Sequence, residues 1–87
     1  MTPFRIEIRV VPRRGLLDPQ GKAVADALHA LGFADVADAR VGRHVVLDVV
    51  AADAEAARAR AAEMCARLLA NPVTEDYVIE SAEPATA

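Results

Sequence analysis

An 87-residue chain with 54% hydrophobic but only 3% aromatic residues has room for one domain with an aliphatic, alanine-rich core and few flat rings for stacking on bases or sugars. Its formal net charge of −3, without runs of like charge, lacks the basic footprint of a protein that binds nucleic acid or an anionic membrane surface. The one cysteine, Cys65, excludes an internal disulfide and a CxxC metal site, while the absence of a secretory leader and of any apolar run near the roughly 20 residues that span a bilayer makes a cytoplasmic location the expectation.

Residues 4–11 read as a strand, because Phe4, Ile6, Ile8 and Val10 alternate with Arg5, Glu7 and Arg9 in the period-two pattern of a sheet with one covered face. Pro12 cannot donate to a strand ladder and Gly15 accepts a positive φ, so residues 12–17 form a loop in which the basic doublet Arg13-Arg14 reads as solvated. Asp18 is placed to cap a helix over residues 19–31, with Pro19 at its first position. Val24, Ala27, Leu28 and Leu31 form its apolar stripe, and Gly32 with Phe33 supplies a left-handed stop with its hydrophobic contact to Leu28. Capping does not explain Gln20-Gly21, since a glycine in a first turn costs up to about 1 kcal/mol relative to alanine.

Two further strands are expected over residues 36–41 and 44–51, joined by a type II′ turn at Gly42-Arg43. In that register Val41 faces His44 and Ala39 faces Val46, while Val45, Leu47 and Val49 share the other face with Val36, Asp38 and Arg40. Aliphatic residues on both faces point to a second protein surface over one of them.

Asp53 is an N-cap for a helix over residues 54–70, with Glu55 in its first turn and Arg67 near its last. Ala57, Ala61, Met64, Cys65 and Leu68 gather on its packed side, and Glu55, Arg60, Glu63 and Arg67 on its solvated side. Asn71-Pro72 ends it, residues 73–80 read as a final strand with Tyr77 and Ile79 on one face, and residues 81–87 as a frayed tail. The order β-α-β-β-α-β predicts a single α+β domain over residues 1–87. Its form is a ferredoxin-like two-layer sandwich with a four-stranded antiparallel sheet and two helices on one face.

That topology hosts enzymes, sensors and assembly subunits alike, so the residues decide. Cys65 reads as a buried, inert thiol, and His29 and His44 have no cysteine or carboxylate at ligand spacing. Asp35, Asp38, Glu75 and Asp76 read as solvated loop and edge charges, and no GxxxxGK[ST], GxGxxG or GxSxG string occurs. An acylphosphatase-like site would need Arg13 or Arg14 together with Asn71, the sole asparagine, which lies at the far end of the second helix. No complete catalytic apparatus is expected, and an ACT-like amino-acid-binding regulatory module, which shares the element order, is the alternative reading.

The string Gly15-Leu16-Leu17-Asp18-Pro19-Gln20-Gly21, followed by Ala23-Val24, Ala27-Leu28, Leu31-Gly32-Phe33, Val41-Gly42-Arg43, Met64-Cys65, Leu68-Leu69-Ala70-Asn71-Pro72-Val73 and Glu75-Asp76-Tyr77, closely resembles the PurS family. That family is the small subunit of phosphoribosylformylglycinamidine (FGAM) synthase, and the resemblance runs from about Phe4 to Glu80. It implies a non-catalytic subunit of a purine-biosynthetic ligase that bridges a PurL-type synthetase subunit and a PurQ-type glutaminase subunit. The implied chain binds no cofactor or metal, since ATP and magnesium belong to the synthetase, and it assembles as a homodimer or tetramer. By position, the implied partner-contact residues are Gly15, Leu17, Asp18, Pro19, Gln20, Gly21, Gly42, Arg43, Asn71, Pro72, Asp76 and Tyr77. Each has a purely structural alternative: backbone geometry for the glycines, capping for Asp18 and Pro19, helix termination for Asn71 and Pro72. The chain departs from the family pattern at Pro12-Arg13-Arg14, where a less proline-interrupted strand end containing a lysine is expected, and in its tail Glu83 to Ala87.

Overall fold

The alternation of Phe4, Ile6, Ile8 and Val10 does what a half-covered strand requires: all four side chains are buried, and the intervening Arg5 and Arg9 face solvent. This computed structural model describes residues 1–85. Strand β1 (Thr2–Pro12) lies at the centre of an antiparallel sheet, between β2 (Arg43–Ala51) and β3 (Glu75–Pro84). Phe4 pairs with Val49 on one side and Pro84 on the other, and Val10 with Arg43 and Tyr77, while Glu80 is the extra residue of a bulge opposite Glu7 and Ile8. Pro12, which cannot donate, occupies the last paired position of β1, opposite Glu75. The β1 strand end is thus intact despite the Pro12-Arg13-Arg14 departure.

Helix α2 (Ala54–Met64) crosses one face of the sheet. Its Asp53 cap accepts from the Ala56 N–H at 2.8 Å. Ala57, Ala61 and Cys65 are fully buried against the β1 aliphatics, and their small side chains let the helix lie close to the sheet. Met64 leads into a π-helical turn, Cys65–Leu69, in place of the regular helix expected to residue 70. The widened turn inserts a residue into the helical phase, so Leu69 packs on the core while Leu68, assigned above to the packed stripe, is 83% exposed.

Helix α1 (Pro19–Ala30) has the predicted ends. Phe33 N–H donates to the Leu28 carbonyl and Gly32 N–H to that of His29, both at 3.0 Å, with Gly32 at φ +98°, the left-handed stop. Its position differs from expectation. Only Gly21 of α1 is buried, Val24 and Leu31 remain exposed, and the helix does not pack across the sheet. It folds back instead on residues 36–41 of its own connection, where His29 Nε2 donates to the Val36 carbonyl at 2.8 Å.

Three further expectations are corrected. Among the described residues the sheet has three strands rather than four, because residues 36–41 pair with no strand, and α2 alone covers it. Gly42-Arg43 is no hairpin turn: Arg43 already pairs with Val10, and a Cβ on Gly42 would collide with the Val10 carbonyl, so the chain runs straight on from β2 past the end of β1. Glycine serves close backbone approach there, not positive φ. Residues 81–84, expected to fray, continue β3, since Ser81, Ala82, Glu83 and Pro84 pair with β1; Thr86 and Ala87 of that tail lie outside the described residues. The result is a slab of 51 × 29 × 14 Å with a radius of gyration of 16.4 Å, against about 12 Å for a compact chain of this length.

Candidate functional site

The candidate residues converge where residues 15–42, here called the arm, join the sheet. Asp18 is the first link. Its Oδ1 accepts from the Gly21 N–H and its Oδ2 from the Val41 N–H, both at 3.0 Å, so one carboxylate caps α1 and anchors the returning segment. These backbone donors, Gly21 first and then Val41, hold its carboxyl below the ordinary aspartate value. The unexplained Gly21 has its reason here: a Cβ would collide with the Ala39 carbonyl and with Asp18 itself. Arg40 adds a hydrogen bond from its guanidinium to the Pro12 carbonyl at 3.3 Å.

The second link is Arg43 with Glu75. The Arg43 guanidinium donates to both Glu75 oxygens at 2.9 and 3.0 Å and to the Leu69 carbonyl at 2.7 Å. Glu75 also accepts from the Asn71 N–H at 2.8 Å, and these contacts, Arg43 before Asn71, lower its carboxyl below the usual range. The Glu75 side chain is only 14% exposed, so its reading as a solvated edge charge is corrected. A fork-shaped pair thereby joins the start of β2, the end of the π-helical turn and the start of β3.

Arg13 makes the third link, one that sequence reasoning missed. Its Nε donates to Asp76 at 2.9 Å, and its terminal nitrogens donate to the Pro72 and Val73 carbonyls at 2.8 and 3.2 Å. Asp76, read as solvated, is thus a clamp partner, although its side chain stays 68% exposed. Asn71 Oδ1 accepts from the Val73 N–H at 3.0 Å, the Asx geometry that turns the chain at Pro72. Arg13 and Asn71 therefore spend their polar groups on the turn between α2 and β3, not on an acylphosphatase-like anion cradle. The alternating strand pattern carried no sign of this, because the partners lie about sixty residues apart (59, 60 and 63).

Tyr77 lies beside Cys65, Ala70 and Pro72, in a shallow depression next to this turn. Gly15 (φ +85°) makes the tight turn that leads into α1, while Leu17, at 88% exposure, and Gln20 face outward. Asp18, Pro19, Gly21 and Gly42 are thus brought together around the arm base, with Arg43, Asn71, Pro72, Asp76 and Tyr77 beside them; Leu17 and Gln20 remain free for contact. The Cys65 thiol is buried, and burial pushes its pKa up. Among the described residues no group of three or more His, Cys, Asp or Glu side chains is placed to hold a metal ion, and no helix is long and apolar enough to cross a membrane.

A second feature went unseen in the sequence. Between α2 and the outer edge of β2 runs a groove of about 420 Å³ lined by Leu47, Met64, Leu68 and Leu69, with Arg60, Glu63 and Arg67 along its rim. The π-helical turn, which no residue pattern announced, turns Leu68 outward there.

Fold and site together define a small α+β domain whose distinctive residues build a junction between an arm and a sheet. The family model of PurS, described as phosphoribosylformylglycinamidine (FGAM) synthase, matches residues 5–83. The FGAM synthase subunit PurS of Bacillus subtilis is 38% identical over 80 residues, covering 92% of this chain and 94% of that protein. Thermus thermophilus PurS superposes with a TM-score of 0.83 at 34% identity, over 97% of this chain and 99% of that one. A chain in the structure of PurLQS from Thermotoga maritima gives 0.78 at 29% identity, over 98% and 100%. This chain belongs to the PurS family.

Proposed function

We propose that the chain is the small subunit of FGAM synthase, a ligase of purine biosynthesis, and that it joins a PurL-type synthetase subunit to a PurQ-type glutaminase subunit. The complex would convert formylglycinamide ribonucleotide, glutamine and ATP to formylglycinamidine ribonucleotide. The observation that carries this reading is the end-to-end likeness to a chain of the Thermotoga maritima PurLQS structure. Ammonia released from glutamine must reach an activated amide elsewhere without escaping or being protonated in water, so a subunit that seals the junction raises the rate while supplying no acid, base or nucleophile. ATP and magnesium act in the synthetase subunit, and this chain binds no cofactor of its own. Its place is the cytoplasm, as a homodimer or tetramer, with the arm base and the outward Leu17 and Gln20 as its contact surface.

The test is the rate of FGAM formation by the synthetase and glutaminase subunits with and without this chain, using glutamine and then ammonium as nitrogen source. Glutamine-driven synthesis should require the chain, and high ammonium should restore much of the rate without it. If neither rate responds to the chain, the bridging role is wrong.

A further inference from the structure

The fold splits the basic doublet Arg13-Arg14. Arg13 turns inward: its backbone N–H donates to the Thr74 carbonyl at 2.8 Å, and its guanidinium holds Pro72, Val73 and Asp76. Arg14 is exposed, and among the described residues its side chain makes no hydrogen bond or ion pair. The carboxylates of the junction are already engaged. Asp18 accepts from Gly21 and Val41, Glu75 is taken by Arg43, and Asp76 by Arg13. Apolar groups are displayed beside Arg14. Leu16 is 45% and Leu17 88% exposed, and Val73, on the turn that Arg13 clamps, is 73% exposed. The loop that carries them is fixed at one end by Arg13 and at the other by Asp18, with the Leu16 N–H donating to the Arg13 carbonyl at 3.4 Å between them.

Exposed leucines held rigidly around an unpaired cation add nothing to the fold. They suit a binding surface, because groups ordered before contact lose little entropy on binding. We infer that Arg14 pairs with a carboxylate of a different subunit of the complex, and that apolar groups around that carboxylate cover Leu16, Leu17 and Val73. Such cover excludes water and strengthens the charge-assisted bonds that a guanidinium fork makes to a carboxylate. The chemistry disfavours two other occupants. A phosphate-rich surface needs clustered basic groups, whereas this loop offers one free arginine on a chain of net charge −3. A second copy joined to this one about a two-fold axis through the loop would set Arg14 against Arg14, with the junction carboxylates already engaged. The contact belongs to the bridging role proposed above and rests on it.

The test titrates the full chain into the synthetase and glutaminase subunits and follows glutamine-driven FGAM formation. Arg14→Glu should melt like the wild type, since an exposed residue without contacts contributes little to the fold. It should nevertheless need about tenfold more chain for half-maximal stimulation, because like charges then face each other across the contact. Arg14→Lys keeps the charge and brings a primary amine to the position, and Lys22 is the only natural lysine of the chain. A zero-length carbodiimide should therefore join position 14 of that variant to a carboxylate of the synthetase or the glutaminase, as read by mass spectrometry of the cross-linked peptide. An Arg14→Glu titration superimposable on that of the wild type would overturn the contact. So would a position-14 cross-link found only between copies of this chain, or no such cross-link in an Arg14→Lys chain that still stimulates. A wild-type chain that leaves both the glutamine and the ammonium rates unchanged fails the bridging role instead, so the two failures are distinct.

Discussion

The Asp18 carboxylate joins two ends of one arm: Oδ1 caps the helix at Gly21, and Oδ2 accepts the backbone N–H of Val41, 23 residues further on. An Asp18→Asn substitution keeps the oxygen that caps the helix and weakens the second bond, since an amide offers one acceptor where the carboxylate offers two. Asp18→Ala removes both. The thermal midpoint is therefore expected to fall in the order wild type, Asp18→Asn, Asp18→Ala, as followed by circular dichroism. An Asp18→Asn midpoint equal to that of the wild type would show that only the cap matters.

Gly21→Ala sets two effects against each other. Alanine gains about 1 kcal/mol of helix propensity over glycine, but its Cβ would meet the Ala39 carbonyl, a backbone atom that cannot swing aside. Overpacking of this kind costs about 1–3 kcal/mol, and we expect it to win, with a net loss of about 1–2 kcal/mol in denaturant titration. A stabilised variant would mean that the arm is free to move off the helix.

How much could be read in advance depended on where each residue's partner lies. β1 and the caps at Asp18, Gly32 and Asp53 involve neighbours within a few positions or a simple alternation, and these were legible. The 36–41 segment has strand-like alternation but, among the described residues, no strand beside it, because the bonds of Asp18 to Val41 and of Arg40 to Pro12 hold it in line with β2 beyond the end of β1. A local pattern announces an extended segment without saying whether a sheet edge lies within its reach. The π-helical turn at Cys65–Leu69 left no composition signal, so the exposure of Leu68 was misassigned. Of the candidate site, Asp18, Gly21 and Gly42 were found from their unusual string, but Arg13 and Glu75 were not, because their contacts join chain ends that only the fold brings together.

Acid should weaken the junction, and the sign follows from the carboxylates. The bonds from Arg43 and Asn71 lower the Glu75 carboxyl, and those from Gly21 and Val41 lower that of Asp18. A carboxyl depressed in the folded state adds stability that is present above its unfolded value, about 4, and is lost as pH falls through its folded value. The denaturation midpoint is expected to be flat between about pH 6 and 8 and to drop steadily below about pH 4.5. Glu75→Gln should be less stable than the wild type at neutral pH, with the gap narrowing as the pH falls. A gap unchanged between neutral and acid pH would show that the Arg43 contact works by shape alone.

Cys65 is fully buried, and burial raises its thiol pKa. It should not react with a thiol reagent in native protein at neutral pH and should react in full on unfolding. Cys65→Ser replaces a weakly polar group by a hydroxyl in an apolar site, at a cost of about 1–3 kcal/mol. Rapid labelling of the native protein would place the residue in a region that opens locally.

Leu17 separates contact from architecture. It is 88% exposed, in the loop where Gly15 turns the chain toward Asp18, so it contributes little to the fold, and exposed truncations of this kind change stability by less than about 0.5 kcal/mol. A large apolar side chain held outward beside a rigid junction is useful chiefly to a partner surface, where a single buried anchor commonly dominates binding. Leu17→Ala should therefore melt like the wild type, yet more of it should be needed to reach half-maximal stimulation of glutamine-driven FGAM formation. A titration curve superimposable on that of the wild type would remove Leu17 from the contact surface and move attention to Gln20 and Asp76, the exposed polar groups that flank the same junction.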